Sequence, residues 1–255
     1  MSADAYPGTQ AVQRAVTVLK AFTDAQPELG LSALARVVGL NKATTYRLLT
    51  ALEREGLIAR TGTREQYRLG PELIALGVRA MRSSDVRAVS RPELETLARA
   101  TGETATLEVL ADGDVLILDE VMGSHLVSAT HWVGTRWHAY ATSTGKAMLA
   151  FLPNAQLRDA LPTRLALSGR GTRTRADFYK ELEKIRAQGF ATNVEELETG
   201  FAAVGAPIFN HDAQVIAAIS IGGPRTRFTD KVIKQLAPRV KQAAARISQQ
   251  LGFRP

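Results

Sequence analysis

Residues 31–49 read LSALARVVGLNKATTYRLL, from Leu31 to Leu49, and this stretch decides the fold. Leu31 to Val38 has the pattern of a short helix, with Ser32 as its expected N-cap and Gly39 as the left-handed residue that ends it. Asn41 is placed to cap a following helix from Lys42 to about Glu55, in which Leu48, Leu49 and Leu52 form the buried stripe and Gly56 the stop. Only Gly39, Leu40 and Asn41 separate the two helices, so they must cross steeply, and small Ala35 keeps the crossing point free of bulk. The stretch therefore predicts a helix-turn-helix.

Working outward, Val12, Ala15, Val16, Leu19 and Phe22 recur at spacings of three and four, which predicts a preceding helix over Gln10 to Phe22 with Thr9 as its N-cap. On the other side, Leu57 to Thr61 and Gln66 to Leu69 read as two strands around a Gly62-Thr63-Arg64-Glu65 turn, a wing. From Arg36 to Arg68 there are seven basic residues against three acidic ones, a local excess placed where phosphates would pass. The outer face of the Lys42 helix is expected to display Lys42, Ala43, Thr44, Thr45 and Arg47 at the end that enters a major groove in such motifs. Arginine can fork onto guanine, threonine can hydrogen-bond or offer a methyl to thymine, and a lysine beside a helix N-terminus suits phosphate. The candidate DNA-contacting set is Ser32, Lys42, Ala43, Thr44, Thr45, Tyr46, Arg47, Arg60 and Arg64. A protein-docking module with a solvated basic face is the alternative, and it does not explain why the glycine turn, the capped helix and the basic hairpin occur together.

Pro71 to Ser84 carries Leu73, Ile74, Leu76, Val78 and Met81, which predicts a connecting helix whose apolar face pairs with a second subunit or packs on its own domain. A further helix runs towards Ala100 and is closed by Gly102. Thr104 to Ala111 and Val115 to Met122 then read as strands joined by Asp112-Gly113-Asp114, with another strand near Leu126 to Thr130. Helices are expected at Thr144 to Phe151, Asn154 to Leu161 and Arg175 to Gln188, strands at Phe201 to Phe209 and Val215 to Ile221, and a closing helix capped by Thr229. Strands in adjacent hairpins with helices gathered between them describe an α/β protein of the α+β kind, with an antiparallel sheet in a sensor-like domain. The expected division is 1–70 as winged helix-turn-helix, 71–84 as linker helix and 85–255 as effector-binding domain.

The totals agree with two domains. The 255 residues exceed the usual span of one domain, and 45% hydrophobic with 22% charged residues is an ordinary globular balance. A net charge of +7 favours polyanionic partners. The absence of cysteine excludes disulfides and thiolate metal sites and makes an intracellular, reducing compartment the expectation. An apolar stretch such as Val215 to Ile221 is far shorter than the roughly 18 to 20 residues of a membrane span. The first ten residues hold no secretion signal, so a cytoplasmic protein without membrane contact is expected.

Three other signals carry little. Thr144-Gly145-Lys146 ends like a phosphate loop, but Tyr140 stands where the earlier glycine belongs. His125, His131 and His138 lack metal-ligand spacing, so no metal or cofactor is expected. Glu195 and Glu196, with Ser220 far along, have no base and orienting partner that sequence can place, so they read as polar loop or pocket-rim residues and no catalytic residue is expected.

The whole chain resembles the isocitrate lyase regulator (IclR) family of transcription factors. The carriers are Leu31 to Gly39 with Asn41 to Leu49, then Ala141-Thr142-Ser143-Thr144-Gly145-Lys146-Ala147-Met148-Leu149-Ala150, Gly205 to Phe209, and Ala217 to Pro224. The resemblance implies a GAF-like effector domain, homodimers or homotetramers on palindromic double-stranded operator DNA, small organic or aromatic acids as effectors, and repression or activation equally. Carried onto this sequence, the family's pocket is lined by Ser143 and Thr144 before Gly145, by Asn193, by Phe201 to Ala203, and by Ser220 and Gly222. Asn193 falls where some members carry Asp, and Ala203 and Gly222 where some carry Cys and Ser. Ser143 and Thr144 open a helix, so its free N–H groups can receive a carboxylate unless one of the two side chains caps it. Small Ala203 and Gly222 leave volume, and Trp132, Trp137, Tyr140 and Phe201 supply flat walls, which points to a bulky or aromatic acid. The residues also allow an enzyme or ligand-binding module docked to nucleic acid or protein by its N-terminal domain, or an interaction protein with an empty sensor fold.

Overall fold

The fold was obtained as a computed structural model, which describes residues 9–61, 66–82, 85–125, 132–168 and 171–254. Internal contacts divide the chain into one unit ending at residue 83 and another beginning at residue 84.

The first unit runs α1 (Gln10–Lys20), β1 (Leu29–Gly30), α2 (Leu31–Val37), α3 (Lys42–Arg54), β2 (Ile58–Thr61), β3 (Gln66–Leu69) and α4 (Pro71–Arg82). Val18 and Phe22 meet Leu34, Leu49, Leu52, Ile58 and Tyr67 in one core, which fixes α1 and α2 against α3. Gly39 has φ +68°, the left-handed conformation that the tight turn between α2 and α3 requires. Asn41 Oδ1 accepts from Thr44 N at 2.8 Å, the expected cap of α3. Strands β2 and β3 pair antiparallel, Ile58 opposite Leu69, and the expected turn at 62–65 lies outside the described residues.

Three local expectations need correction. Ser32 does not cap α2: the chain arrives extended along β1, which pairs Leu29 with Tyr67 and Gly30 with Gln66, so Gly30 is the N-cap and Ser32 sits exposed in the first turn. Helix α1 stops at Lys20, although Phe22 still enters the core. Thr9 is the N-cap of α1 by position but, in a helical conformation, makes no side-chain cap hydrogen bond. Along α4, Ile74 is 70% exposed, and Leu76 and Val78 are exposed beside it.

The second unit opens with α5 (Asp85–Thr101) and the hairpin β4 (Thr104–Ala111) and β5 (Asp114–Val121), turning at Asp112 and Gly113 with positive φ. Next come β6 (Arg136–His138), a 3-10 turn over Ala139–Ala141, α6 (Ser143–Leu149) and α7 (Asn154–Ala160). A small hairpin, β7 (Leu165–Leu167) and β8 (Gly171–Arg173), leads to α8 (Arg175–Gln188) and β9 (Ala191–Val194). The long strands β10 (Phe201–Phe209) and β11 (Val215–Pro224) and the closing α9 (Asp230–Gln250) complete it. The six main strands form one sheet in the order β6-β5-β4-β11-β10-β9, with every neighbouring pair antiparallel. Strands β6 to β9 were not foreseen, because three or four residues carry too little alternation to register. The strand expected at Leu126 to Thr130 lies outside the described residues.

Alternation along the strands splits the sheet into two faces. Ala105, Leu107, Val204, Ile208, Ile219 and Ile221 pack with α5 and α9 in one core. The opposite face carries α6, α7 and α8 in a second core that includes Val115, Ala191 and Ala218. Residues in phase with this second face are Thr104, Thr106 and Glu108 on β4, Ser220 and Gly222 on β11, Ala203 on β10 and Asn193 on β9. One cross-strand row aligns Asn193, Ala203, Gly222 and Thr104, so residues far apart in sequence meet on one polar strip of an otherwise apolar sheet.

Candidate functional site

On α3 the side chains divide by burial. Lys42, Ala43, Tyr46 and Arg47 are exposed and Thr44 is half-buried. Thr45 is fully buried, its hydroxyl donating to Asn41 O at 3.0 Å, which removes it from the outer face on which it was expected. One helical step separates the two threonines, and it turns the Thr45 side chain inward beside Leu49 and Leu52. Among the described residues, neither Lys42 nor Arg47 has an ion-pair partner, so both cations are available to an anion. Arg60 differs. Its Nε lies 3.1 Å from Glu53 and its guanidinium stands 5.4 Å over the Tyr67 ring. A hydrogen bond with Tyr46, then the charges of Tyr67 and Glu53, hold Arg60 above the ordinary guanidinium value. The β-hairpin is thereby tied to α3 through Arg60, while Arg64 lies outside the described residues.

In the second unit a narrow pocket lies on the polar strip of the sheet, with about 320 Å³ of empty space when its open mouth is counted. Seven of the eight expected effector residues line it: Ser143, Thr144, Asn193, Phe201, Ala203, Ser220 and Gly222. The eighth, Gly145, does not. A Cβ there would sit 2.2 Å from Ala139 O, so this glycine lets α6 lie against the preceding turn. Neither Ser143 nor Thr144 caps α6, because the Thr142 hydroxyl accepts from Gly145 N at 3.0 Å. The aromatic wall is Trp132, Trp137 and Phe201: Trp132 meets Trp137 edge-on at 4.8 Å and Phe201 at 5.8 Å. Tyr140, expected in that wall, is instead buried in the α6–α8 core and stacks on His138.

Two polar groups give the cavity its chemical character. Asn193 is buried, its Oδ1 accepts from Glu196 N at 3.0 Å, and its Nδ2 has no partner, so it is a donor waiting for an acceptor. Glu108 was not foreseen. Its carboxylate accepts from Thr106 Oγ1 at 2.9 Å and from the Thr144 hydroxyl, and Thr106 in turn meets Ser220 Oγ at 2.8 Å. Burial pushes the Glu108 carboxyl up from the usual range, against the smaller opposing effect of the two threonines. The signal lay in the sequence: Thr104, Thr106 and Glu108 share one face of a strand whose other residues are apolar.

Behind the cavity lies a buried ionic cluster, also unforeseen. Lys146 Nζ lies 2.8 Å from Glu181 and 2.6 Å from Glu196, while Arg173 pairs with Glu181 and lies 3.2 Å from Glu196. Glu196, read from sequence as a loop or rim residue, is thus a buried counter-ion whose amide also holds Asn193. Among the described residues there is no cluster of three potential metal ligands, and no helix is long and apolar enough to cross a membrane.

A helix-turn-helix with free cations on its second helix, joined in one chain to a domain with a polar-lined pocket, defines a DNA-binding transcription regulator with an effector domain. Residues 11–62 match the family model of the IclR helix-turn-helix domain, and residues 78–249 match that of the bacterial transcriptional regulator IclR C-terminal domain. The chain belongs to the IclR family. It is 30% identical to the HTH-type transcriptional regulator XynR of Escherichia coli (strain K12), over 97% of this chain and 99% of that protein. With the HTH-type transcriptional regulator KipR of Bacillus subtilis (strain 168) it shares 32% identity, over 95% of this chain and 97% of that one. The crystal structure of an IclR homolog from Microbacterium hydrocarbonoxydans, complexed with 4-hydroxybenzoate, superposes with a TM-score of 0.80 at 26% identity, covering 94% of this chain and 98% of the other. The curated relatives are transcriptional regulators, not enzymes.

Proposed function

We propose that this protein is a sequence-specific regulator whose affinity for a palindromic operator is set by an organic acid, aromatic or otherwise bulky, bound in the cavity of the second unit. The observation that carries the reading is the unpartnered Asn193 Nδ2, buried in a cavity walled by Trp132, Trp137 and Phe201. A carboxylate or carbonyl oxygen satisfies that donor, and a ring enters among the aromatics as they part to admit it. The 4-hydroxybenzoate held by the Microbacterium relative supports an acid of this size.

On the DNA side, Arg47 and Thr44 read base edges, Ala43 and Tyr46 make close contact, and Lys42, Ser32 and the hairpin arginines Arg60 and Arg64 meet the backbone. Arg60 exchanges its Glu53 partner for phosphate on binding. Residues 1–70 act as the reader head, 71–84 as linker and 85–255 as sensor. The exposed Ile74, Leu76 and Val78 support pairing of α4 with a second copy, giving a homodimer or a homotetramer that presents two reader heads to a two-fold site. The protein works in the cytoplasm, where its DNA lies.

Selection of bound fragments from genomic DNA, followed by calorimetric titration with aromatic and short aliphatic acids, tests the proposal. The expected result is one palindromic sequence class and binding of an aromatic acid. Retention of no specific DNA, or binding only of glyoxylate-sized acids, overturns the corresponding half.

A further inference from the structure

Glu108 is the one ionisable side chain among the described residues lining the cavity, and it is buried without a cation beside it. The charged groups on the elements packed against it are all committed elsewhere. On β5, Glu120 accepts from Trp132 N at 3.0 Å, Asp119 faces Arg87 and Arg91 of α5, and Asp114 meets His138 Nδ1 at 2.8 Å. On α6, Lys146 is held by Glu181 and Glu196, and β11 carries no ionisable residue. Among the described residues, an anion entering the cavity therefore meets a carboxyl group with no positive side chain to offset it.

The hydrogen-bond directions sharpen this. An ionised Glu108 accepts only, so Thr106 and Thr144 spend their hydroxyl protons on it, and Ser220 must spend its own on Thr106. The cavity then turns lone pairs towards its ligand. Once Glu108 takes up a proton, its O–H donates to one of the threonines, and the one hydroxyl proton so released can turn into the cavity. A single proton thus adds one hydroxyl donor to the cavity, beside the Asn193 amide that is there in either state.

We propose that Glu108 is the specificity-determining residue of the effector pocket, admitting a carboxylate ligand only together with a proton that resides on Glu108. This rests on the organic-acid reading above and names the charge state in which that acid is recognised. Burial holds the Glu108 carboxyl above the usual carboxylate range, so it keeps its proton to higher pH than an exposed glutamate does. An ammonium-bearing ligand would show the opposite behaviour, binding best to the ionised form.

The test is calorimetry of the full-length protein with benzoate and with benzylammonium between about pH 6 and 9, in two buffers of different ionisation heat, where benzoate itself stays charged. Wild type is expected to take up one proton per benzoate at the alkaline end, with affinity falling about tenfold per pH unit above the Glu108 pKa. In Glu108→Gln, benzoate binding is expected to lose both the pH dependence and the proton uptake, and to exceed wild-type affinity at high pH. Wild-type benzoate binding that is flat with pH and free of proton uptake overturns the inference without needing the variant. So does a preference for benzylammonium that grows with pH. Absence of benzoate binding to both proteins at every pH overturns the acid reading itself, and this inference with it.

Discussion

Lys146 Nζ lies 2.6 Å from Glu196 Oε1, with Lys146 wholly shielded from solvent and Glu196 nearly so. The pair joins α6, whose first turn lines the cavity, to the segment after β9, whose Asn193 lines it from the other side. Replacing Lys146 leaves two carboxylates, Glu181 and Glu196, to share Arg173. Lys146→Met is expected to destabilise the second unit by about 3 to 5 kcal/mol, the range for a broken buried pair. Glu196→Gln should destabilise less, because Glu181 still answers Lys146. Chemical denaturation of both variants checks the order, and equal effects would contradict the assigned geometry.

The cap of α3 gives a second expectation. Asn41→Ala removes the 2.8 Å hydrogen bond to Thr44 N and should lower the stability of the first unit by about 1 kcal/mol. Asn41→Asp should restore most of it, since its carboxylate accepts from the same N–H. Thermal melts of the three proteins make the comparison.

The two free cations of α3 should behave differently on DNA. Arg47→Ala is expected to weaken specific binding by about 1 to 3 kcal/mol and relax preference at one base pair. Lys42→Ala should weaken all sequences alike and reduce the slope of log affinity against log salt by about one. Thr45→Ala should leave base preference unchanged and act only on stability, because Thr45 points into the core. Anisotropy titrations on matched and mismatched operators at several salt concentrations separate the three.

Glu108 links the pocket to pH. Its folded-state pKa is raised, so the folded protein holds this proton more tightly than the unfolded chain does. The stabilisation is complete below the unfolded carboxyl value of about 4.3 and is lost as pH rises through the folded value. Wild type should therefore lose stability relative to Glu108→Gln as pH rises, and the gap should level off once the folded Glu108 is ionised. Melting temperatures of the ligand-free proteins across this range provide the check.

The helix-turn-helix was legible because its signals are local: Gly39 needs positive φ, Asn41 reaches a donor three residues on, and Leu49 and Leu52 repeat at helical spacing. The misplacement of Ser32 shows where local reading stops. What sets the start of α2 is the pairing of Leu29 with Tyr67 across 38 positions, and no cap preference reports it. The cavity divides in the same way. Ser143, Thr144, Asn193, Phe201, Ala203, Ser220 and Gly222 came from the family resemblance, while Gly145 and Tyr140, equally prominent in sequence, turned out to serve packing. Glu108 and Lys146 escaped because their meaning depends on burial and on partners 36 and 35 residues away, through Thr144 and Glu181. Charged residues in sequence are usually surface residues, and only the sheet register shows that Glu108 faces inward beside Thr106.

Coupling between the reader head and the sensor is read out by operator affinity with and without a saturating bound acid. Fluorescence anisotropy on the operator recovered from genomic selection provides it, with Glu108→Gln beside wild type. Filling the cavity is expected to shift operator affinity about 5- to 150-fold, matching a coupling of about 1 to 3 kcal/mol. An operator affinity that stays the same when the cavity is demonstrably filled would contradict it.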